Sequence, residues 1–444
     1  MRSLLRRGAE QRLPRRAMPF MLAFLFATGL APRSASAQTR ELTVVGEVRV
    51  RAELRDNADF DDATSDRQRF FGQRTRLGVD ARVNPKITGR VILQDTRFWG
   101  QEPSTESTAS ELASIDLLEG YLDLRWIWDL PLDLRLGRQP LTYGRERLVG
   151  RHEWSNHSRV FDAYKLHFGL GAFYLDILGA KLVDTNLPEG TGQSDQDRNF
   201  SGLYFSKEGD RLELLDLYWL RLIDKTDPPA GEVYRSTFGA LGRYLVLDDL
   251  TLEIEYAHQL GEASSELDIG AYMLAARLGW QSRGPRELHA AAGFDLASGD
   301  ANGTADGTLQ TFDQLFPSPH RHLGAMDLIG RQNSRDWWAR VGARLTSSLR
   351  GRLDGHVLGL DKAEDAWYAA DGTPGGPGGR FTAGSGRRER HLGVELDLVF
   401  DFDFAEDSAV QFGVSRFLAG AALREGGAPD DDATFAYGSV RIDL

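Results

Sequence analysis

The chain has 444 residues, 41% hydrophobic and 27% charged, with a formal net charge of −12. Its mean hydropathy is negative. That excludes a bundle of membrane helices but not a membrane barrel, whose greasy and wet faces average out along each strand. The acidic balance argues against nucleic acid as a partner, and the absence of cysteine removes disulfides and thiolate metal sites.

At the N-terminus, Arg2, Arg6, Arg7, Arg12, Arg15 and Arg16 precede an apolar stretch, Phe20–Leu30. Ala35-Ser36-Ala37 then offers an A-x-A cleavage site before Gln38. Residues 1–37 read as a secretory signal peptide, with an apolar stretch too short to span a bilayer. They hold seven Arg and one Glu, so removing them takes the charge from −12 to about −18. Six of the 53 basic residues are Lys and the other 47 are Arg. A bias toward GC-rich codons accounts for this excess. So does a need for side chains that grip carboxylate in a bidentate fork and stay charged when partly desolvated.

The mature chain reads as strand after strand. In Val44–Arg55, Glu47, Arg49, Arg51, Glu53 and Arg55 share one face and Val48, Val50, Ala52 and Leu54 the other. Arg74, Arg76, Asp80 and Arg82 oppose Thr75, Leu77, Val79 and Ala81 in the next segment. Arg90 and Gln94 oppose Val91 and Leu93; Asp133 and Arg135 oppose Leu132, Leu134 and Leu136. The pattern recurs to Val440, Ile442 and Leu444. About 18 such segments of ~9–12 residues fit tilted, membrane-crossing strands.

The connections alternate between short and long. Asn84-Pro85, Asp248-Asp249 and Ala405–Asp407 are short; Asp56–Arg69, Trp99–Ser114, Ser298–Arg335 and Asp361–Arg388 are long. Short periplasmic turns and long extracellular loops produce this alternation. Aromatic residues near strand ends, among them Trp99, Trp126, Trp128, Trp337 and Trp367-Tyr368, read as interfacial girdles. Gly372–Gly386 reads as a mobile hairpin tip. Ser298–Arg335 carries Leu315, Phe316, Leu323, Met326 and Leu328, too apolar for a free loop, and is expected to fold back into the lumen.

Between two of these strands lies a segment dense in guanidinium groups. It holds Arg138, Arg145, Arg147, Arg151 and Arg159, with Glu146, Glu153 and Asp162 among them and Tyr143 and Trp154 alongside. If the strands form a barrel, this loop hangs at or inside the pore.

The elements QDTRFWG (Gln94–Gly100), LGRQPLTYGRERLVG (Leu136–Gly150), EWSN (Glu153–Asn156), RVFDAYKL (Arg159–Leu166) and FDQLFPSPHRHLGAMDLIGRQN (Phe312–Asn333) together resemble the alginate export family of outer-membrane porins. The resemblance runs over essentially the whole mature chain. It implies a single 18-stranded transmembrane antiparallel barrel over residues 38–444, an Arg-lined lumen and passive export of a polyuronate. It also implies a periplasmic scaffold that delivers the polymer. The chain departs from the family in ending at Leu444 rather than an aromatic residue, and in having almost no Lys.

Rings of Arg select anions. Arg49, Arg51, Arg74, Arg76, Arg90, Asp95, Arg97 and Arg135 are expected to line the pore. Arg138, Arg147 and Arg159 are expected at the constriction, oriented by Asp95 and Asp162. The competing reading is a neutral, braced lumen in which these arginines pair with Glu47, Glu53, Asp80, Glu119, Asp123 and Asp133. The net negative charge is expected in outer loops such as Asp56–Asp66 and Asp430–Asp432. Ser155 beside His152 and His157 suggests a nucleophile, and His320 with His322 suggests a metal site, but coincidence and ordinary loop histidines explain both better. HExxH, P-loop, GxSxG and EF-hand spacings are absent.

The sequence therefore supports a non-enzymatic outer-membrane channel without cofactor, conducting an anionic solute of alginate type across a lipid-embedded wall. Two other readings stand: a porin of the same fold for small organic anions, and a structural or adhesive barrel with a closed lumen.

Overall fold

Alternating sequence becomes a closed cylinder. β1 (Glu41–Asp56) pairs on one side with β2 (Gln68–Asn84) and on the other with the last strand, β19 (Ala433–Asp443). Between them run β3 (Ile87–Phe98), β4 (Asp116–Leu124), β5 (Leu132–Gln139), β6 (Phe161–Leu170), β7 (Phe173–Leu182), β8 (Asn199–Glu208) and β9 (Leu212–Asp224). β10 (Val233–Leu247), β11 (Leu250–Ser264), β12 (Leu267–Gln281) and β13 (His289–Ala297) follow. β15 (Ser334–Arg344), β16 (Leu349–Leu360), β17 (His391–Ala405) and β18 (Ser408–Ala419) complete the wall. β14 (Thr308–Leu309) is a two-residue piece of loop lying parallel to β12, so β13 pairs directly with β15. The wall is thus 18 antiparallel strands. The computed structural model describes residues 40–63, 66–99, 115–182, 198–225, 232–303, 306–384, 386–425 and 429–444. The expected leader, residues 1–37, lies outside them.

Closure pairs the wall's backbone N–H and C=O groups, which hydrocarbon could not solvate. The pleat then sorts the side chains. Leu42, Val44, Leu77, Val91, Leu93, Leu203, Leu217, Leu396 and Val414 face outward and are exposed, forming a band for lipid. Arg49, Arg51, Arg74, Asp176, Asp216, Glu253, Asp295 and Asp397 sit buried on the inner face. No helix among the described residues is long and apolar enough to cross a membrane.

The loops sort by end as expected, with one exception. Residues 85–86, 171–172, 248–249 and 406–407 close hairpins at the end that also holds the start of β1 and the end of β19. Residues 57–67, 140–160, 298–333, 361–390 and 420–432 connect strands at the other end. The exception there is the β11–β12 hairpin, which turns within residues 265–266.

Two expectations about the loops fail. Trp367 belongs to no interfacial girdle: it is fully buried, stacks against Phe60, meets Phe381 edge to face, and donates Nε1–H to the Leu328 carbonyl. The Gly-rich segment after it is folded too. Gly375 pairs with Trp367 and Phe381 through the backbone, and Phe381 is buried. Glycine is used there because Gly375 and Gly376 hold positive φ angles of 113° and 59°.

The outward band makes a direct demand on chemistry. Leu217→Arg, at the middle of β9's lipid face, should cost about 2–4 kcal/mol in folding titrations into lipid vesicles. A variant as stable as the parent would mean that this face does not meet hydrocarbon.

Candidate functional site

Two long loops fold into the barrel rather than out of it, and the inner wall is built to hold them. Residues 140–160, between β5 and β6, cross the lumen. Residues 298–333, between β13 and β15, cross it from another side. They join through Val149 and Phe316, which form a parallel bridge. Gly150 N–H donates to the Phe316 carbonyl at 2.8 Å, and Phe316 N–H to the Leu148 carbonyl at 2.8 Å. Ser318 N–H donates to the Glu146 carbonyl, Arg321 pairs with the Glu146 carboxylate, and Trp154 stacks on His320 with centroids 3.7 Å apart. The expectation that the apolar 298–335 segment packs back is met, and its partner is the Arg-rich loop.

This double plug meets the wall in two different ways. Toward β6–β13 the contact is apolar: Leu141, Leu148, Val149 and Phe316 pack with Phe161, Phe200, Leu220 and Met273. A column of tyrosines continues it, with Tyr143, Tyr204 and Tyr218 each donating a hydroxyl to Asp176, Asp216 and Glu255. Toward β1–β3 the contact is ionic and polar. Arg49 donates to the carbonyls of Glu153, Trp154 and Ser155 at 2.8, 3.1 and 3.0 Å, and to Asn156 Oδ1 at 2.8 Å. Arg51 donates to the Trp154 carbonyl and lies 3.9 Å over the Trp154 ring. Arg74 reaches the Glu153 and Ser155 carbonyls, and Arg76 reaches Ser158 Oγ and the Glu153 carboxylate. Gly72 leaves the room: a Cβ there would stand 2.5 Å from Asn156 Nδ2. The tip of the other loop is held by carboxylates, with Ala325 and Met326 N–H donating to Asp397 and Glu395 of β17.

The expected pore residues divide by face. Arg49, Arg51, Arg74, Arg76, Arg90 and Arg135 all point inward. Arg90 forms a bidentate pair with Asp80, and Arg135 with Asp123. Arg138 and Asp162 do pair, at 2.8 Å, but on the outer face of the wall. β5 runs on to Gln139, so Arg138, three residues from inward Arg135, takes the opposite face beside exposed Leu136. Asp95 and Arg97 also pair with each other on the outer face, next to exposed Leu93. These four are corrected: none lines the lumen.

Arg147 and Arg159 are inside, yet within the plug rather than around an open constriction. Arg147 is bound by Glu253, Glu255 and Asp295. Burial opposes its charge, but these carboxylates outweigh it and raise its pKa. Arg159 donates to the Gly150 and Pro317 carbonyls. Burial lowers its pKa to about 10, which leaves it cationic. His322, buried between Arg147 and Arg331, is pushed well below the usual imidazole range by that burial; it donates Nε2–H to the Arg145 carbonyl.

Much of the braced-lumen reading is therefore correct in detail: Glu47, Glu53, Asp80, Glu119 and Asp123 each pair with wall or plug arginines. Arg49 stands apart. It is 7% exposed, and no carboxylate lies within 4 Å of it among the described residues. Ser155 Oγ meets the His157 backbone N–H, while the His157 ring is bonded to Thr96, so no nucleophile–base pair forms. No cluster of metal-binding side chains occurs among the described residues.

Two of the cavities in the lumen border the plug. One of about 510 Å³ is lined by Arg51, Glu146, His152, Arg350 and Asp401; one of about 340 Å³ is lined by Glu47, Arg74, Arg76, Arg90 and Glu119. Arg49, Arg151, Glu153 and Arg441 border both. The acidic outer loops do gather, around Asp56, Asp62, Asp66 and Asp430–Asp432, at the outer rim. Sequence reading left Glu119, Arg151, Glu153 and Trp154 off the list of pore residues, because their meeting depends on which way a loop folds.

The anchoring of Arg147 has a measurable consequence. Arg147→Ala leaves buried Glu255 without a guanidinium partner and takes one from Glu253 and Asp295, which keep Arg145 and Arg331, and should cost about 3–5 kcal/mol. Urea unfolding in detergent would show it, and the 140–160 loop should become the first site of proteolysis. A fully stable, protease-resistant variant would contradict this anchoring.

The comparisons agree with this architecture. Solved structures of similar fold include the outer membrane protein OpdK of Pseudomonas aeruginosa, at TM-score 0.58 and 12% identity, covering 90% of this chain and 99% of that one. OccAB4 of Acinetobacter baumannii matches at TM-score 0.57 and 11% identity, covering 92% and 99%. OccK8 (OprE) of Pseudomonas aeruginosa matches at TM-score 0.57 and 12% identity, covering 91% and 98%. At these identities the likeness is one of fold. No curated protein matches the chain. The family model for alginate export matches residues 40–436. With a closed 18-stranded barrel, a lipid-facing outer band and porin-like neighbours, the chain is an outer-membrane channel rather than an enzyme, and it belongs to the alginate export family.

Proposed function

We propose that this channel passively conducts an anionic solute, most concretely a carboxylated polysaccharide of alginate type leaving the periplasm. The observation that carries the reading is Arg49. A buried guanidinium held only by carbonyl and amide oxygens leaves the β1–β4 wall with positive charge that its own carboxylates do not cancel. Arg51, Arg74, Arg76 and Arg90 line the cavities beside it, and Arg135 lies further round the same inner face. In so narrow a space each guanidinium–carboxylate contact is worth about 1.5–3 kcal/mol. It must stay replaceable by the next carboxylate for flux to continue.

A second reading is a channel of the same fold for small organic anions. The divided lumen favours it: cavities of about 510 and 340 Å³ have the size of single small-molecule sites, not of a polymer path. A polysaccharide needs the plug to move aside; a monocarboxylate does not. The leader at residues 1–37 serves either reading, and a periplasmic delivery partner belongs to the export reading alone. A barrel without any conductance would return the choice to a structural role.

Reversal potentials in a KCl gradient across planar bilayers test the charge. The channel should be anion-selective, and Arg49→Ser should lower the chloride preference, whereas Arg138→Ser, on the outer face, should leave it unchanged. A cation-selective or unselective parent would contradict the proposal. Liposome swelling with monomeric against polymeric uronates separates the two readings.

A further inference from the structure

Among the described residues, Glu153 is the one plug carboxylate surrounded by three guanidinium groups. Its Oε2 lies 3.1 Å from Arg74 Nη1 and 3.1 Å from Arg76 Nη1; its Oε1 lies 2.9 Å from Arg151 Nε. The arginines come from three places: Arg74 and Arg76 from the rigid wall strand β2, Arg151 from the plug. They are themselves fixed from behind, Arg74 by Glu47 at 2.6 Å, Arg76 by Gln94, and Arg151 by Glu119 at 2.8 Å. The ring therefore stays formed without Glu153.

The tenant is far less buried than its site. The Arg74 and Arg76 side chains are 2% and 8% exposed, but the Glu153 side chain is 42% exposed. It borders both cavities, at the place where they share Arg49, Arg151 and Arg441. The larger cavity reaches toward the short-turn end through Asp403 and Ala409, which flank the 406–407 hairpin. A solute entering from that end meets this ring where the plug borders the cavity.

The local charge count agrees. Arg49, Arg51, Arg74, Arg76 and Arg151 face Glu47, Glu53, Glu119 and Glu153, and only Glu153 is supplied by a loop. With it displaced, two positive charges are uncompensated, and a mobile anion restores the balance that Glu153 now provides.

We propose that the Arg74–Arg76–Arg151 ring is a carboxylate subsite of the channel, held shut by the chain's own Glu153, which a carboxylate-bearing solute displaces in transit. The proposal rests on the anion-channel reading and adds its gate: one carboxylate exchanges for another, with no covalent step. Burial works against the Glu153 charge, but Arg76, Arg74 and Arg151 outweigh it and hold the carboxyl at about 2. Competition, not neutralisation of Glu153, therefore opens the site at ordinary pH.

The test uses the full-length protein in planar bilayers, with galacturonate as probe and neutral galactose as control. Glu153→Gln keeps the shape and removes the charge, and Glu153→Ala serves as a second variant if the first fails to insert. Glu146→Gln removes the same charge from the larger cavity, at a residue paired only with Arg321 among the arginines. In Glu153→Gln, galacturonate should interrupt the current at roughly tenfold lower concentration than in the parent, about the worth of one charge-assisted contact. Galactose should do nothing, and Glu146→Gln should resemble the parent. Equal sensitivity in parent and Glu153→Gln, or an equal gain in Glu146→Gln, overturns the subsite while leaving an anion-selective parent intact. A parent that does not select anions overturns the broader reading instead.

Discussion

A loop folded into a barrel must find partners for backbone carbonyls that a surface loop leaves to water. Here guanidinium groups supply them. Arg49 alone covers the carbonyls of residues 153–155, Arg51 adds a second bond at Trp154, and Arg159 joins Gly150 to Pro317 across the two plug loops. A guanidinium suits the task because it offers five donors and stays charged when desolvated. Lysine, with a compact and strongly hydrated charge, would do it poorly. The Arg excess thus has a structural basis beside any codon bias.

That interaction also ties stability to transport. The arginines that hold the plug are the ones an anionic solute would meet. On the proposed reading, plug and solute compete for the same donors; the plug itself is held asymmetrically. Its β6–β13 side is apolar, packed by Leu148, Val149 and Phe316, and has little reason to open in water. Its β1–β3 side is polar and borders both cavities.

The fold was legible in the sequence because lipid and water impose a period of two that no local exception erases. Loop sorting and the inner-facing arginines of β1 to β5 followed from it. The errors came from parity and from length. Asp95 and Arg97 stand at odd spacing from inward Arg90 and Gln94, and Arg138 at odd spacing from Arg135, so the same period places them outside once the strands are carried to their true ends. Trp367 and the glycine-rich segment looked like girdle and tip because composition cannot report a long-range partner such as Phe60 or Leu328. The ring around Glu153 was illegible for the same reason: it joins β2 to a loop nearly eighty residues later in the chain.

The central claim is that residues 140–160 lie inside the barrel, clamped by β1 and β2. Because the chain has no cysteine, single replacements report on it cleanly. Asn156→Cys, in the clamped turn, should resist a water-soluble thiol reagent in reconstituted vesicles, while Asp371→Cys, on an exposed loop, should react at once. Equal labelling rates at the two positions would place the loop outside the lumen and contradict the account.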